Sequence, residues 1–249
     1  MDSKADQIYQ ILKSKFAVIL AEHDLNLSEI KIRSQGLSPE EAIGITERRD
    51  YPILTGQEVM LQAECQGCFG QAFTDAPADF DGTLEEILAM DISVDPHARG
   101  LFIAAMNAVM RALGLVEHTV HCKNQEPKEC AKEFAQTLKR DHPNAKIALI
   151  GYQPSIFEAL AKEFPLRVLD LNPQHIGEER FGIIVEHGIQ DYEEVVLNWA
   201  DLILCTGSVF SNGTMGKYLD IGKEVIFFGI SVAGAAYLLG LQRLCPMAK

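Results

Sequence analysis

Positively charged side chains are scarce in this sequence. It has 22 lysines and arginines against 35 aspartates and glutamates, which gives a formal net charge of −13 at neutral pH. Nucleic acids and anionic membrane surfaces are themselves negative, so a chain of this charge is repelled by both. We therefore expect neither nucleic acid nor membrane as a partner.

Long apolar runs and several catalytic motifs are also missing. No stretch approaches the roughly 20 apolar residues that cross a bilayer, and the N-terminus lacks a basic segment followed by an apolar core and a cleavage site. We therefore expect a cytoplasmic protein whose six cysteines are reduced thiols. The absence of a G-x-S-x-G elbow and of a Walker loop argues against serine hydrolases of that type and P-loop kinases.

The periodicity of the first half predicts a small α+β unit. Apolar residues at helical spacing predict an amphipathic helix over 6–20, and segments 30–32, 42–46, 59–63 and 68–74 are typical of extended strands, with a turn at 55–57. Thr83 and Glu86 have the spacing of a capping box at the start of a short helix. Asp95 and Gly114 mark the two ends of a longer one.

From Lys146 onward, strand-like runs alternate with helical patterns. Strands are predicted at 147–150, 166–169, 202–205 and 225–228, and helices at 154–164, 192–200 and 214–219; Glu186-His187 and 191–194 are interpreted as solvated surface. This alternation predicts a parallel sheet covered by helices on both faces. We expect an α/β protein with an α+β domain in residues 1–115 and a Rossmann-like, doubly wound domain in residues 116–249.

The end of the predicted strand 202–205 is the first candidate binding loop. Open parallel sheets bind ligands beyond the carboxyl ends of their strands. Hydroxyls, a carboxamide and accessible backbone N–H groups suit an oxygen-rich or anionic ligand, although such residues also simply turn the chain and cap a helix. The candidate ligand-binding residues here are Thr206, Gly207, Ser208, Asn212, Gly213 and Thr214, the last three where the next helix would start.

Other strand ends add further candidates. Asp170 lies about twenty residues after the turn at Gly151, where nucleotide-binding folds place a ribose-binding carboxylate. That turn lacks the G-x-G-x-x-G pattern, so a dinucleotide is not expected, and Asp170 either contacts a ligand or caps its own loop. Gly229 and Ser231 follow the last predicted strand.

Two groups of residues could supply soft nitrogen and sulfur ligands to a transition or heavy metal ion. They are the C-x-x-C of Cys65 and Cys68, and the group of His118, His121, Cys122 and Cys130. Strand alternation would place Cys65 and Cys68 on opposite faces unless a turn intervenes. Cys65, Cys68, His121 and Cys122 are kept as candidate metal ligands, but the frequency with which free cysteine is buried favours a core or turn role.

The binding loop also carries a family resemblance. Thr206-Gly207-Ser208 with Asn212-Gly213-Thr214, Met106-Asn107-Ala108 in an apolar helix and Gly229-Ile230-Ser231 resemble the putative heavy-metal chelation domain family, although that family usually has Gly-Pro-Ser at 229–231. The resemblance covers most of the chain and is strongest over 99–246. It implies an enolase N-terminal-like domain, a Rossmann-like domain and a site between them.

Asn107 is interpreted in the light of that resemblance. A buried amide without partners costs about 1–3 kcal/mol, so Asn107 either contacts a ligand or braces a neighbouring loop, and the family pattern favours the ligand. Two functions of different classes remain. The first is binding of a small anionic molecule or metal complex between the domains, with a role in heavy-metal handling. The second is an enzyme acting on a small anionic or nucleotide-like substrate in the same cleft, with a carboxylate such as Asp170 as base and the Thr206-Gly207-Ser208 amides stabilising an anion. We favour binding, because no acid–base pair stands out in the sequence.

Overall fold

Two β-sheets make up the fold, one antiparallel and one mostly parallel, as expected for the predicted α/β class. A computed structural model describes residues 3–34, 43–45, 48, 50–55 and 59–249. The predicted strand at 42–46 and the predicted turn at 55–57 lie partly outside the described residues and stay predictions.

The antiparallel sheet comes from the first part of the chain and has the strand order β3-β2-β1-β4. Its elements are α1 (Ser3–Glu22), β1 (Glu29–Arg33), a 3-10 turn (Pro52–Thr55), β2 (Val59–Cys65), β3 (Cys68–Thr74), β4 (Phe80–Thr83) and α2 (Leu84–Ala89). The first helix and the strands β1, β2 and β3 were predicted, and the structure confirms them. Only two residues, Gln66 and Gly67, join β2 to β3, and both have a positive φ, which is typical of a tight type I′ hairpin.

Side-chain caps fix the ends of the next two helices. Thr83 and Glu86 form the predicted capping box at the start of α2: the Thr83 hydroxyl accepts a hydrogen bond from the Glu86 N–H, and the Glu86 carboxylate accepts one from the Thr83 N–H. Asp95 caps α3 (Pro96–Ala112), and Gly114 has a φ of +68° just beyond its end. These helix ends could be predicted from the sequence because capping involves residues that are close together in the chain.

The second sheet has the order β11-β10-β9-β5-β6-β8-β7, and only β7 runs antiparallel to its neighbour. Its elements are α4 (Glu126–Asp141), β5 (Ile147–Ile150), α5 (Pro154–Ala161), β6 (Leu166–Asp170), β7 (Glu179–Arg180), β8 (Ile183–His187), a π-helix (Glu193–Trp199), β9 (Leu202–Thr206), α6 (Val209–Asn212), a 3-10 turn (Met215–Lys217), β10 (Glu224–Phe228), α7 (Ala233–Leu239) and β11 (Arg243–Leu244). The six parallel strands lie side by side in the order β8-β6-β5-β9-β10-β11. When these six strands are renumbered along the chain, this spatial order becomes 3-2-1-4-5-6. This is the strand order of the Rossmann fold.

Three segments differ from the predictions. The helix at 192–200 is a π-helix, and the segment 214–219 holds only a 3-10 turn, because Asn212 ends α6 and Gly213 takes a φ of +82° beyond it. Glu186 and His187 belong to β8 rather than to a solvated loop. Glu186 sits beside β6, where its carboxylate accepts a hydrogen bond from the Arg167 guanidinium at 2.8 Å.

The helix α3 holds the two sheets together. Its residues 100–110 are all buried, and it packs against β2 and β3 on one side and against α6 and α7 on the other. One apolar core therefore extends from Phe16 in α1 through Met106 to Phe227 in the parallel sheet. Among the described residues, no helix combines the length and the apolar character needed to cross a membrane.

Candidate ligand-binding cleft

A cleft of about 500 Å³ lies at the carboxyl edge of the parallel sheet. The turns that follow β5, β6, β9 and β10 form its floor, and the end of β3 in the antiparallel sheet contributes Phe73, Thr74 and Asp75. Of the ten residues proposed from the sequence as ligand-binding, eight line it: Asp170, Thr206, Gly207, Ser208, Asn212, Thr214, Gly229 and Ser231. The cleft includes the point between β5 and β9 where the strand order reverses, which is where ligands bind in folds of this type.

The loop after β9 is held close to the loop after β10. The Gly207 N–H donates to the Phe228 carbonyl at 2.8 Å, and a Cβ on Gly207 would come within 2.8 Å of the Val232 nitrogen. Only glycine fits that approach without movement of the neighbouring backbone. The Thr206 and Ser208 hydroxyl oxygens, 3.3 Å apart, form a polar pair beside it in the cleft wall.

Asn212, Gly213 and Thr214 do not open a helix, which corrects the sequence interpretation. The Asn212 side-chain oxygen accepts hydrogen bonds from the Thr214 N–H at 3.1 Å and from the Thr214 hydroxyl at 2.7 Å. Gly213 closes α6, and its α-carbon faces the Arg99 side chain. The turn therefore presents no row of free helix N-terminal amides, because Asn212 closes a one-turn helix and the 3-10 turn that follows is short.

Asn107 is a brace rather than part of the cleft surface, which corrects the favoured interpretation. Its side chain is fully buried, and its amide nitrogen donates to the carbonyls of Gln71 and Ile230 at 3.0 and 3.1 Å. Its oxygen accepts from the Gly234 N–H at 2.8 Å. Asn107 therefore ties β3 to the segment between β10 and α7. Ser231 strengthens the same joint, because its hydroxyl accepts from the Phe73 N–H at 2.9 Å.

Asp170 borders the cleft, but both of its carboxylate oxygens accept hydrogen bonds from nearby backbone N–H groups. One carboxylate oxygen accepts from the Tyr152 N–H at 2.6 Å, and the other accepts from the Asn172 N–H at 2.7 Å. The His175 Nδ1 atom lies 3.4 Å from Asp170 without the alignment of a hydrogen bond, and the His175 ring packs on Tyr152 with 4.2 Å between ring centres. Burial and the nearby Asp50 carboxylate raise the pKa of Tyr152 to about 12.

Ser211 is a cleft residue that sequence reasoning missed. Its side chain is 1% exposed, and its hydroxyl has no hydrogen-bond partner among the residues that the structure describes. An unpartnered buried hydroxyl costs about 1–3 kcal/mol and is uncommon in native proteins. Nothing in the local sequence marks Ser211, since its hydroxyl is exceptional only because of what surrounds it.

The candidate metal ligands separate into two places. Cys65 and Cys68 face each other across the β2–β3 hairpin, since the Gln66-Gly67 turn brings both thiols to one face, and neither lines the cleft. His121 and Cys122 do line it, together with Cys130 and with Cys245, which sequence reasoning did not single out. Within the described ranges, no three or more His, Cys, Asp or Glu side chains have the arrangement of a ready metal site.

Buried interactions set the protonation of this second group. Burial lowers the pKa of His121 to about 4, so the ring is neutral near pH 7. The His121 Nδ1 atom lies 2.6 Å from the Cys122 carbonyl oxygen and donates a hydrogen bond to it, so the lone pair of the ring is on Nε2. Interaction with the Cys130 thiol, together with burial, raises the pKa of Cys122, and the same interaction lowers the pKa of Cys130. Burial raises the pKa of Cys245, and the adjacent Arg243 guanidinium opposes that rise.

Comparisons with known proteins agree with this fold. A crystal structure of a protein of unknown function from the DUF364 family of Pyrococcus horikoshii matches with a TM-score of 0.53 and 20% identity, over 88% of this chain and 79% of that one. A DUF364 protein of unknown function from Desulfitobacterium hafniense DCB-2 matches with a TM-score of 0.52 and 14% identity, over 74% of each chain. No curated protein matches the sequence significantly. The model of the DUF364 family, described as putative heavy-metal chelation, matches residues 134–241, which carry the strands from β5 to β10 and all four turns that form the cleft floor.

Proposed function

We propose that this protein binds a small metal complex in the cleft between its two sheets. The proposal treats residues 1–115, similar to the enolase N-terminal domain, and residues 116–249 as two domains whose facing surfaces form the cleft. The observation that carries it is the buried, unpartnered Ser211 hydroxyl in a cleft at the strand carboxyl ends. The family description of residues 134–241 supports a metal as part of the ligand.

The charge of the cleft distinguishes a metal complex from a bare anion. Among the described residues that line it there is no lysine or arginine, and the carboxylates of Asp75 and Asp170 are present. His121 adds no charge near neutral pH, because burial holds its pKa at about 4. A bare anion would lose its hydration without gaining a countercharge, which is costly in a buried site. A complex whose metal neutralises its own oxygen ligands avoids that penalty.

Hydroxyl groups provide the polar contacts for such a ligand. Thr206, Ser208 and Ser211 place three hydroxyl oxygens on one side of the cleft. A ligand oxygen that accepts a hydrogen bond from Ser211 would remove an unfavourable buried group, so binding and the relief of that cost occur together. The thiols of Cys122, Cys130 and Cys245, which also line the cleft, are chemically suited to soft metal ions.

The test is native mass spectrometry with elemental analysis of freshly purified protein. We expect a bound species that contains a metal and is retained by the parent protein and by Ser14→Phe, which adds the same ring on the exposed face of α1. Ser208→Phe fills the cleft and should lose the species while keeping the parent circular dichroism spectrum. If the parent carries no metal-containing species, or if Ser208→Phe keeps it, the proposal is wrong.

One contact favours the enzyme alternative. Asp170 and His175, each with 12% of its side chain exposed, lie 3.4 Å apart at the cleft, which is a possible acid–base pair that the sequence did not show. Both Asp170 oxygens already accept backbone N–H groups, so His175 would be the proton carrier. Incubating the recovered ligand with fresh protein separates the two functions. A binding protein returns it unchanged, and an enzyme converts it.

A further inference from the structure

We infer that a groove between α4 and α5, separate from the cleft, binds a small phosphate ester through Lys128 and Lys132. The groove has a volume of about 400 Å³, which is within the range of small-molecule sites. Tyr51 is the only described residue that lines both the groove and the cleft, and its hydroxyl is hydrogen-bonded to Ser155 in the groove wall at 2.6 Å. The groove is therefore a second site with its own lining.

The groove is basic although the chain is acidic. Among the described residues, five cationic side chains line it against two carboxylates, whereas the whole chain has a formal net charge of −13. The charged residues of the lining are Arg48, Lys128, Lys132, Lys139, Lys162, Glu158 and Glu163. Cations gathered in one concave surface raise the local concentration of anions. The charge of the groove therefore favours an anionic ligand.

Ion pairs account for three of the five cations. The pairs are Arg48 with Asp50 and Glu158, Lys162 with Glu158, and Lys139 with Glu163. Three carboxylates therefore balance three cations. Lys128 and Lys132 form no ion pair within the part of the chain that the structure describes, so two positive charges in the groove are left without a counterion from the protein.

These two ammonium groups suit one dianion. Lys128 and Lys132 are four residues apart in α4 and lie on adjacent turns of one helix face, where like charges repel each other. A phosphate monoester carries roughly −1.5 to −2 charge at neutral pH, and lysine is a common phosphate ligand. The lysine side chains rather than free helix amides provide the contacts, because the N–H groups of Glu126, Lys128 and Glu129 already donate to carbonyls of the preceding turn.

Part of the lining is apolar, which favours an ester over free phosphate. Ala131 and Ala135 follow the two lysines along the same face of α4, and Ala159 lies across the groove on α5. An apolar substituent placed against these methyl groups would be removed from water. The net charge of the chain repels nucleic acids, so the phosphate is expected on a small molecule.

The experiment is isothermal titration calorimetry of the full-length protein with phenyl phosphate, inorganic phosphate and phenyl sulfate. We expect phenyl phosphate to bind most tightly, because inorganic phosphate lacks the apolar ring and phenyl sulfate has a single negative charge. Lys128→Gln/Lys132→Gln should bind phenyl phosphate at least roughly tenfold more weakly, since it removes both charge-assisted contacts. The matched control is Lys31→Gln/Lys146→Gln, which removes the same charge from exposed positions outside the groove and should bind like the parent.

Several results would overturn the inference. They are a parent that does not bind phenyl phosphate, equal affinity of the parent and Lys128→Gln/Lys132→Gln, and an equal loss in Lys31→Gln/Lys146→Gln, which would indicate attraction by the overall charge alone. Ala159→Leu occupies the apolar part of the groove and should remove the advantage of phenyl phosphate over inorganic phosphate. An unchanged advantage would contradict the placement of the ring. A hexaglutamate peptide that binds more tightly than phenyl phosphate would show that the groove takes an acidic protein segment instead.

A cleft variant separates this site from the proposed function. Ser208→Phe fills the cleft and should keep the phenyl phosphate affinity of the parent, because the two cavities share only Tyr51 among the described residues. Loss of phenyl phosphate binding in Ser208→Phe would place the phosphate in the cleft and overturn the inference. A co-purifying metal species in a protein that does not bind phenyl phosphate would leave the proposed function standing and remove only this inference.

Discussion

Replacing Ser211 by alanine should stabilise the ligand-free protein and weaken its binding. The substitution removes a buried hydroxyl without a partner and keeps the β-carbon that packs against its surroundings. The penalty for such a group is about 1–3 kcal/mol, and a kilocalorie shifts the melting temperature of a protein of this size by roughly 2–4 °C. We therefore expect Ser211→Ala to melt a few degrees above the parent after both are dialysed against a chelator.

Ser155 provides the matched control for this prediction. It is also a buried serine, but its hydroxyl bonds to the Tyr51 hydroxyl at 2.6 Å, so Ser155→Ala should lower the free energy of unfolding by about 1 kcal/mol. Differential scanning calorimetry on the two variants measures the opposite signs. Native mass spectrometry should then show that Ser211→Ala loses much of the co-purifying species and that Ser155→Ala keeps it. If Ser211→Ala melts below the parent, the hydroxyl has a structural partner and the reasoning is refuted.

Two further substitutions test the joint behind the cleft. Asn107→Ala leaves the Gln71 and Ile230 carbonyls and the Gly234 N–H without their partner, so we expect it to lose about 2–3 kcal/mol of stability by urea denaturation; a loss below 0.5 kcal/mol would show that the brace is unimportant. Gly207→Ala forces a methyl group against the Val232 backbone and should cost about 1–3 kcal/mol, and a variant as stable as the parent would show that the two loops can separate freely.

The sequence predicted the sheets better than it predicted the roles of single residues. Apolar runs such as β5 and β9 identify buried parallel strands because burial on both faces leaves no polar position. The strand β8 was missed because it ends in two polar residues, Glu186 and His187, and the carboxylate of Glu186 is paired with Arg167 on the neighbouring strand. Such compensation depends on pairing between strands and is invisible along one segment.

The roles of the cleft residues also depend on contacts between distant parts of the chain, which the sequence of one segment does not show. An amide side chain in an apolar helix indicates that hydrogen-bond partners are present, but the partners of Asn107 lie 36, 123 and 127 residues away in the chain. A single sequence therefore does not distinguish a structural brace from a ligand contact. Cys245 belongs to no motif. It becomes a candidate only in the structure, where the end of β11 brings it into the cleft lining together with Cys122 and Cys130. The C-x-x-C, which does form a motif, proved to be the two sides of a hairpin turn.

The continuous packing around α3 has a consequence for how a ligand would enter. Because the same helix is buried against both sheets and Asn107 fastens β3 to the segment before α7, the two walls of the cleft do not swing apart about a hinge without breaking the core. Under the proposed function, a ligand would therefore enter a cleft that is already formed, and little conformational work would be subtracted from its affinity. Association of a ligand would then require no domain closure. Its dissociation rate would be set by the contacts that it makes at the floor of the cleft.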